Sequence, residues 1–341
     1  MRKFLCLILL LFPLTALGEK QVTMTFTGDV TLGGEYRLQS QENSFTGYYN
    51  ANGPDYFFAR VLPLFQADDL TVINLEGTLT DSGAQENTGK TYRFRAPTAF
   101  TEILTRSSIE HCSLANNHRM DFGEQGYRST VDALDAAGIS WACLQDVYIC
   151  ECQGIKIALI SLDSAHVNKL IGWAKEEIHR LKEEEGVSLV ICSLHLGKEY
   201  RPHHVPAQEK TAHTLINNGA DLIIMHHPHV LEGMEVYNGR TIFYSLGNFC
   251  FGGNCQVRAL ETLLVQATFT FSDDGKYLGQ QMSLYPCHIS GTSPESNFQP
   301  TPVEGEAAEQ VLQLVQDDTA FQLEPMDEAL GCAVQPYLAA E

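Results

Sequence analysis

Five apolar segments of the sequence are each followed by a side chain that can bind a metal ion or transfer a proton. The motifs at their ends are Gly28-Asp29, Asn74-Leu75-Glu76, Asn116-Asn117-His118, His195-Leu196-Gly197 and His226-His227-Pro228-His229. Because active sites form where the carboxyl ends of strands meet at one edge of an open α/β sheet, we expect these motifs to converge. The sequence therefore predicts one site that contains Asp29, Glu76, Asn117, His118, His195, His227 and His229.

The residue types in these motifs suit a pair of divalent metal ions. Carboxylates can bridge two ions, imidazoles suit zinc, iron or manganese, and the amide oxygen of Asn117 is a neutral hard ligand. Pro228 is expected to keep His227 extended, so that His227 and His229 point to one side of the chain and His226 to the other. Each motif alone is also typical of a turn or a helix cap. The histidines alone are also typical of a solvated cluster at the protein surface. The ordered recurrence of all five favours a site for two ions, Zn, Mn or Fe.

Two groups of cationic side chains could bind carboxylates or phosphates of a substrate. The candidates for substrate binding are Lys90, Arg93, Arg95, Lys198 and Arg201. The alternative is an ordinary solvated strand and loop. Asp121 and Gly123 are expected to cap the helix that begins near Glu124.

The elements that must position these residues alternate along the chain. Strands are predicted at 21–27, 70–75, 110–115, 154–162, 187–194 and 220–225, and helices at 56–65, 97–105, 124–137, 173–185 and 205–218. This alternation predicts an α/β fold with mainly buried strands. From Glu232 onwards short strands follow one another (232–237, 241–245, 260–271, 277–286), which favours antiparallel pairing. The tail, residues 291–341, has one predicted helix at about 307–315.

Residues 1–18 are typical of a secretory signal peptide. A basic start (Met1-Arg2-Lys3) precedes the apolar run Phe4–Ala16, and small residues favour cleavage after Gly18. The alternative is an uncleaved membrane anchor, although the apolar run is short for a membrane span. We expect no stable membrane span after cleavage.

Composition and cysteine content narrow the class of protein. The chain has 341 residues with 22 basic and 42 acidic side chains, a net charge of −20, which disfavours nucleic acid as a partner. Export permits disulfides, and Cys250 and Cys255 could close a small loop. No C-x-x-C motif occurs, so a zinc ribbon or a thioredoxin-like site is not indicated.

Taken together, the motifs resemble those of the CapA family. They are Gly28-Asp29-Val30, Asn74-Leu75-Glu76-Gly77, Leu114-Ala115-Asn116-Asn117-His118 with Asp121 and Gly123, His195-x-Gly197-x-Glu199-Tyr200, Gly219-Ala220-Asp221 through His229, and Tyr244-Ser245-Leu246-Gly247-Asn248-Phe249. The resemblance covers about residues 21–255. Met225 stands where a glycine usually precedes the two histidines, and Leu196 where an aromatic residue is common; neither departure removes a ligand.

The resemblance implies a fold and a set of roles. CapA proteins are linked to capsule and poly-γ-glutamate synthesis and are related to calcineurin-like metallophosphoesterases. The implied fold is an α/β/β/α sandwich of two mixed β-sheets flanked by helices, here residues 19–290. By analogy, Asp29 and His229 hold one ion, Glu76 bridges, Asn117, His195 and His227 hold the second ion, and His118 donates a proton to the leaving group. Thr31 stands where relatives carry a second ligand for the first ion.

Three functions follow as expectations. The first is an exported hydrolase that acts on a polyanionic polymer, most simply the γ-glutamyl amide bonds of poly-γ-glutamate. The second is a secreted phosphoesterase that uses the same site. The third is a capsule component without enzymatic activity that anchors or exports polymer. The expected partners are the anionic polymer and proteins of the capsule machinery, and the expected location is extracellular, periplasmic or at the cell surface.

Overall fold

The computed structural model describes residues 18–340, so the predicted signal peptide, apart from Gly18, lies outside the described residues. The strands are β1 (Glu19–Thr31), β2 (Leu70–Leu75), β3 (Thr78–Leu79), β4 (Arg95–Ala96), β5 (His111–Ser113), β6 (Ser140–Ala142), β7 (Tyr148–Cys152), β8 (Ile155–Asp163), β9 (Leu189–His195), β10 (Leu222–His226), β11 (Met234–Tyr237), β12 (Arg240–Phe243), β13 (Asn248–Phe251), β14 (Glu261–Ser272), β15 (Tyr277–His288), β16 (Thr301–Pro302), β17 (Ala333–Val334) and β18 (Leu338–Ala339). The helices are α1 (Phe45–Asn52), α2 (Leu62–Phe65), α3 (Thr101–Thr105), α4 (Gly123–Ala137), α5 (Val167–Glu183), α6 (Pro206–Ile216) and α7 (Gly305–Gln316).

Two large mixed sheets carry the fold. The first has the strand order β16-β15-β14-β1-β2-β5-β6, with β13 beside β1 and with β17 and β18 on β15. The second has the order β11-β12-β10-β9-β8-β7. In both sheets the strands that lead to the predicted motifs run parallel to one another, β1-β2-β5 in the first and β9-β10 in the second, where β8 is also parallel to β9. The long hairpin β14-β15 and the pair β11-β12 are antiparallel, as the succession of strands after Glu232 predicts.

The two sheets pack face to face around a shared apolar core. Val22 and Met24 of β1 and Ile155 and Ile157 of β8 belong to one buried cluster. Successive side chains of a strand point to opposite faces, so the intervening residues of each sheet face outwards. One point of difference from a strictly two-sided core is that α7 also reaches this inner cluster, through Val311.

Helices cover the outer faces of both sheets. Ala158, Ile160 and Leu162 of β8 pack with residues of α5 and α6 on one side. Ile73 and Leu75 of β2 pack with residues of α1 to α4 on the other. The architecture is therefore the predicted α/β/β/α sandwich, with both sheets mixed.

Most predicted elements occur, and the differences have local causes. Strand β2 and helix α4 match their predicted ranges closely. The helix predicted at 56–65 is wrong in extent, since the segment forms a 3₁₀ turn (Pro54–Tyr56) and the short α2. Pro63 lacks an N–H and fits only the first turn of a helix, so a helix must restart there. Helix α1 was not expected; its N-cap is Ser44, whose side chain accepts a hydrogen bond from the Gly47 amide at 3.0 Å.

The suggested disulfide between Cys250 and Cys255 is not formed, because both are free thiols. Cys250 is fully buried on β13 and donates instead to the carbonyl oxygen of Phe298 at 3.3 Å. Residues 18–340 contain no helix that is both long and apolar enough to cross a membrane.

The segment after residue 290 packs against the sandwich. Strands β16, β17 and β18 pair with β15, and α7 covers part of the inner core. Just after α7, the Asp318 carboxylate accepts hydrogen bonds from the backbone amides of His204 (3.0 Å) and Gly233 (2.9 Å) and from the His204 Nδ1 atom (2.8 Å). One carboxylate thus joins the loop that follows β9 to the loop that follows β10.

This junction predicts a pH-dependent loss of stability in Asp318→Asn. The Asp318 hydrogen bond raises the pKa of His204, so its contribution to the free energy of unfolding is full below about pH 6.5 and is lost as the pH rises through the higher folded-state value. Burial alone would raise the pKa of Asp318, but hydrogen bonds from His204 and Gly233 lower it, so its contribution is present above about pH 4 and lost below.

We therefore expect Asp318→Asn to lower the free energy of unfolding by about 1–3 kcal/mol at pH 5.5, and by less at pH 9. Urea denaturation at both pH values measures the difference. Asp317→Asn, which changes the exposed neighbouring carboxylate, is the matched control. An equal loss at both pH values would contradict the role of the His204–Asp318 pair.

Candidate metal centre

Pairing within the two sheets brings the predicted residues to one edge of the sandwich. Asp29 of β1 is in register with Asn74 of β2, so Glu76 follows immediately beyond it. His195 of β9 is in register with His226 of β10. The parallel strands thus end side by side in each sheet. Asp29 itself differs from the prediction, since it lies inside β1, which continues to Thr31 because β13 pairs with this part of the strand.

Gly28 is required by the close approach of another loop. The amide of Asp29 donates to the carbonyl oxygen of Gly247 at 2.9 Å, and a Cβ on Gly28 would lie 2.2 Å from that oxygen. A side chain at position 28 would push Asp29 away from the neighbouring strand. The Gly28-Asp29 pair therefore reflects packing as well as chemistry.

Two carboxylates lie fully buried at this edge. Asp29 accepts hydrogen bonds from Asn74 Nδ2 (2.7 Å) and from the His227 amide (3.3 Å), and its Oδ2 lies 3.3 Å from His229 Nδ1. Glu76 differs, because neither of its carboxylate oxygens has a hydrogen-bond partner within residues 18–340. Burying a charged group without such partners is costly, so the ionised form of Glu76 is stable only if a positive charge lies beside it.

Histidine nitrogens surround Glu76 without bonding to it. His195 Nε2 lies 3.5 Å and His118 Nε2 lies 3.8 Å from Glu76 Oε1, and His229 Nδ1 lies 3.9 Å from Oε2. Imidazole nitrogens and carboxylate oxygens at these separations can bind a common ion after small movements. One ligand atom each of Asp29, Glu76 and His229 lies within 4.8 Å of the others.

A second group of donors meets around His195. His195 Nε2 lies 2.8 Å from Asn117 Oδ1 and 3.2 Å from His227 Nδ1. The amide oxygen and the two imidazoles are a mixed hard and borderline ligand set that suits zinc, iron or manganese. Glu199 also has a carboxylate oxygen within 4.8 Å of ligand atoms of His227 and His229. The donors thus fit a metal centre: His229 belongs to both groups of potential ligands, and Glu76 Oε1 lies 3.5 Å from His195 Nε2.

The backbone around the histidines is not extended, contrary to the prediction. Strand β10 ends at His226, and His227 and His229 adopt positive φ angles of 102° and 59°. The turn carries the His227 amide across to Asp29 of the other sheet. Such left-handed conformations are costly for residues with side chains and persist mainly where a site requires them.

The charges of the two carboxylates dominate the electrostatics of the site. Burial alone would raise the pKa of Asp29, but the hydrogen bond to His229 and the charges of nearby histidines hold it well below its usual range. Burial alone would lower the pKa of His229, whereas Glu76 and Asp29 raise it to about 10. Burial, followed by the charge of His195, lowers the pKa of His227 to about 4. A cation is therefore favoured beside Asp29 and Glu76, while His227 stays neutral, as a metal ligand must.

His118 is held by a buried carboxylate that was expected to cap a helix. Asp121 Oδ2 lies 2.6 Å from His118 Nδ1 and accepts from the Phe94 amide at 2.7 Å. Asp121 is fully buried, and α4 begins with Phe122 as N-cap and without a side-chain cap. The prediction of a helix cap is therefore wrong, because the side chain turns inwards. The Phe94 ring stacks on the His118 ring at a centroid distance of 4.1 Å.

The loop that carries Asn117 and His118 is fixed to both sheets. Asn116 Nδ2 donates to the Leu75 carbonyl oxygen at 2.8 Å, and its Oδ1 accepts from the His118 amide at 3.0 Å. Arg119 forms an ion pair with buried Asp163 at the end of β8. These bonds hold Asn117 and His118 in place beside residues of the other sheet.

The cationic residues predicted to bind substrate have different environments. Lys90 forms an ion pair with Asp121 and donates to the Asn117 carbonyl oxygen at 2.8 Å, and Arg93 pairs with Glu86. Arg95 lies over the Tyr36 ring at 4.2 Å. Lys198 and Arg201 are exposed and form no ion pair with any residue in the range 18–340. Substrate binding by these five residues stays a prediction.

Three polar residues of the site were not assigned a role from the sequence, and a fourth, Asp121, was assigned a different one. Asn74 contacts Asp29 and lies 3.3 Å from His195 Nδ1, Asn248 Oδ1 lies 2.9 Å from His229 Nδ1, and the other two are Asp121 and Glu199. All four belong to the quoted motifs. Their places in the motifs indicated that they could belong to the site. The sequence does not, however, show which side chain a neutral amide inside a strand will contact.

Comparison with known proteins identifies the family. The sequence profile described as "Bacterial capsule synthesis protein PGA_cap" matches residues 23–253. The chain belongs to this family. The capsule biosynthesis protein CapA of Bacillus anthracis is 27% identical over 83% of this chain and 71% of its own length. The PGA biosynthesis protein CapA of Bacillus subtilis (strain 168) is 27% identical over 76% of this chain and 71% of its own length.

Similarity to other proteins is weaker. A probable polyglutamine synthesis accessory protein of Mycobacterium tuberculosis is 27% identical over 63% of this chain and 65% of its own length. Among solved structures, a hypothetical protein from Thermus thermophilus aligns with 78% of this chain and 99% of its own (13% identity, TM-score 0.45). Sulfate thiohydrolase SoxB of Thermus thermophilus, in complex with glycerol, aligns with 87% of this chain and 60% of its own (13% identity, TM-score 0.44).

The buried contact between Lys90 and Asp121 predicts energetic coupling. We expect Asp121→Asn to lower the free energy of unfolding by about 2–4 kcal/mol, since it leaves the Lys90 ammonium and the His118 ring without their charged partner. Adding Lys90→Met to Asp121→Asn is expected to recover part of this loss. Urea denaturation of the two single variants and the double variant measures the coupling. Effects that add to within about 0.5 kcal/mol would show that the pair is not coupled.

Proposed function

We propose that this CapA-family protein is a metal-dependent hydrolase that cleaves the γ-glutamyl amide bonds of poly-γ-glutamate. The observation that carries the proposal is Glu76. Its carboxylate is fully buried, lacks hydrogen-bond partners within the described chain and is ringed by histidine nitrogens. Such a carboxylate suits a site built for cations.

The proposed ligands form two groups that share Glu76. Asp29, Glu76 and His229 hold the first ion, and Asn117, His195 and His227 hold the second. Glu199 lies close enough to His227 and His229 to act as a further metal ligand. It would compensate for Thr31, which has no carboxylate and stands where relatives carry a second ligand for the first ion. When bound, two divalent ions such as Zn, Mn or Fe activate a water molecule and stabilise the developing oxyanion.

His118 is proposed to donate the proton that the leaving amine needs. Asp121 occupies its Nδ1 atom, so the other nitrogen, Nε2, is directed towards Glu76 and the site. Stacking against Phe94 keeps the ring in this orientation. The proton passes from His118 Nε2 to the departing nitrogen as the amide C–N bond breaks and water supplies the new hydroxyl of the carboxyl product. General acid catalysis of this kind contributes about 10²–10⁴-fold.

The family supports poly-γ-glutamate as the substrate over other polymers. Relatives are named for capsule and PGA biosynthesis, and poly-γ-glutamate is a polyanion. The protein has a net charge of −20, which repels such a polymer at long range, so local cations must bind it. The same ligands could serve a phosphoester, and a capsule component without activity is the third candidate; both are outcomes of the test below.

We further propose that the protein is exported and acts outside the cytoplasm or at the cell surface, after removal of residues 1–18. Its proposed partners are the anionic polymer and proteins of the capsule machinery. Nucleic acid is not a proposed partner, and no membrane span is proposed to remain after cleavage.

Metal binding should stabilise the folded protein. At a free concentration one hundred times the Kd, Mn²⁺ or Zn²⁺ is expected to raise the free energy of unfolding by about 2.7 kcal/mol, and a chelator should reverse this. Glu76→Gln is expected to abolish most of the gain, since both groups of ligands use Glu76, whereas Glu199→Gln should only weaken it.

Thermal unfolding and elemental analysis of the purified variants measure these effects. Glu110→Gln is the matched control, because Glu110 precedes β5 and accepts from the Thr71 amide at the opposite end of the strands. Unchanged metal content in Glu76→Gln would contradict the proposed ligands.

Catalysis should depend on His118 separately from metal binding. His118→Asn is expected to lower turnover of poly-γ-glutamate by about 10²–10⁴-fold while metal content stays unchanged. His179→Asn, at an exposed position on α5, is the control and should retain wild-type turnover.

Metal-loaded protein is assayed with poly-γ-glutamate and with a generic phosphodiester. Turnover of the phosphodiester alone would point to the phosphoesterase instead. Absence of turnover of either substrate by the metal-loaded wild type would overturn the hydrolase proposal and favour the non-enzymatic role.

A further inference from the structure

An exposed arginine beside two tyrosines stands at the rim of the metal centre. Tyr92 and Tyr200 are 43% and 42% exposed, which is high for large aromatic side chains. The guanidinium carbon of Arg258 lies 6.0 Å from the centroid of the Tyr200 ring. The hydroxyls of Tyr92 and Tyr200 beside this guanidinium raise the pKa of Arg258. Arg258, Tyr92 and Tyr200 are called the rim cluster below.

The Tyr200 side of the rim cluster is tied to the metal centre through His229. The Tyr200 and His229 ring centroids are 6.0 Å apart. The Tyr200 amide donates to the Pro228 carbonyl oxygen at 2.8 Å, so the residue is anchored between His227 and His229. Tyr200 also has a positive φ of 56°. A non-glycine residue held in this conformation is uncommon and is found preferentially at functional sites.

The Tyr92 side of the rim cluster leads to His118. Tyr92 lies two residues before Phe94, whose ring stacks on that of His118. The Phe251 ring contacts both Phe94 (5.8 Å between centroids) and His229 (5.5 Å). An aromatic wall therefore runs from the proposed proton donor to the proposed ligand His229, and the rim cluster stands at its outer border.

The charge of Arg258 is available to a ligand. Arg258 is exposed and forms no ion pair with a carboxylate within residues 18–340. Lys90 and Arg93, whose substrate binding stays a prediction, form ion pairs with Asp121 and Glu86. A guanidinium presents a planar fork that matches the two oxygens of a carboxylate, and the Tyr200 ring, 6.0 Å from its central carbon, borders the space that it can occupy.

We propose that Arg258, beside Tyr200 at the rim of the metal centre, binds an α-carboxylate of a γ-linked glutamate polymer next to the bond at that centre. The inference rests on the proposed function, and it assigns a specificity-determining residue to that site. Each residue of such a polymer carries one free α-carboxylate beside its amide bond. A group bound at the rim would thus set which amide bond enters the site.

The test compares two short oligomers of γ-linked glutamate, one with free α-carboxylates and one with α-carboxamides. Calorimetric titration uses the metal-loaded protein with the His118→Asn substitution, which is expected to slow turnover strongly. We expect Arg258→Gln in this background to weaken binding of the carboxylate oligomer about tenfold to a hundredfold and to leave binding of the carboxamide oligomer unchanged. Arg258→Lys should recover only part of the affinity, since an ammonium lacks the fork.

Arg128→Gln is the matched control. Arg128 lies on α4 and pairs with Glu124, and its substitution removes the same charge from the protein. Equal weakening by Arg128→Gln would show a general charge effect and overturn the assignment to Arg258. Absence of binding of the carboxylate oligomer to the protein, or equal affinity for both oligomers, would also overturn it.

Kinetics separate this inference from the proposed function. If the polymer is hydrolysed, Arg258→Gln should raise KM with little change in kcat, and an unchanged KM would overturn the role of Arg258 while the hydrolase proposal stands. If the carboxylate oligomer binds through Arg258 but no hydrolysis of the polymer occurs, the hydrolase proposal fails and the assignment of Arg258 is supported.

Discussion

Two carboxylates buried between the sheets, Asp29 and Glu76, impose the main constraint on this structure. Removing two like charges from water is costly unless opposite charges or hydrogen-bond donors compensate them. The first sheet supplies both carboxylates, and most of the compensation comes from the second sheet, through His195, His227 and His229. The contacts at the site therefore fix the position of one sheet relative to the other more specifically than the apolar core alone would.

Because the carboxylates and the histidines come from different sheets, the loops that carry them must be held in fixed positions. An imidazole compensates a carboxylate only within a few ångströms and in the correct orientation. The turn after β10 accordingly adopts left-handed conformations at His227 and His229. Asp318, far along the chain, holds the backbone of the loops after β9 and β10 through His204 and Gly233. The segment after residue 290 thus supports the site without contributing a candidate ligand.

The need to compensate buried charge separates two kinds of cationic residue around the centre. Lys90 is used internally, because Asp121 would otherwise be a buried carboxylate with too few partners. Arg258 is exposed to water, and within residues 18–340 it forms no ion pair with a carboxylate. Proximity to the site does not by itself make a cationic side chain available to a substrate. Its availability also depends on whether a neighbouring carboxylate is already paired with it.

The sequence by itself determined the α/β class, most of the strands and the types of ligand. Short continuous apolar runs bounded by turn residues are typical of fully buried strands, and in the sequence Asp29, Glu76 and His195 follow or end such runs. It did not determine which side chains meet, because contacts such as the Asp121–His118 hydrogen bond or the neighbouring rings of Tyr200 and His229 depend on where the chain turns.

Those turns were decided by tertiary structure. The left-handed φ angles at His227 and Tyr200, unfavourable for any isolated residue with a side chain, exist only because the other sheet and the loops compensate for their cost. The break of the predicted helix at Pro63 was local and readable in the sequence. The inward orientation of Asp121 was not, since two of its partners, the Lys90 ammonium and the Phe94 amide, come from a segment about thirty residues earlier that the fold brings to it.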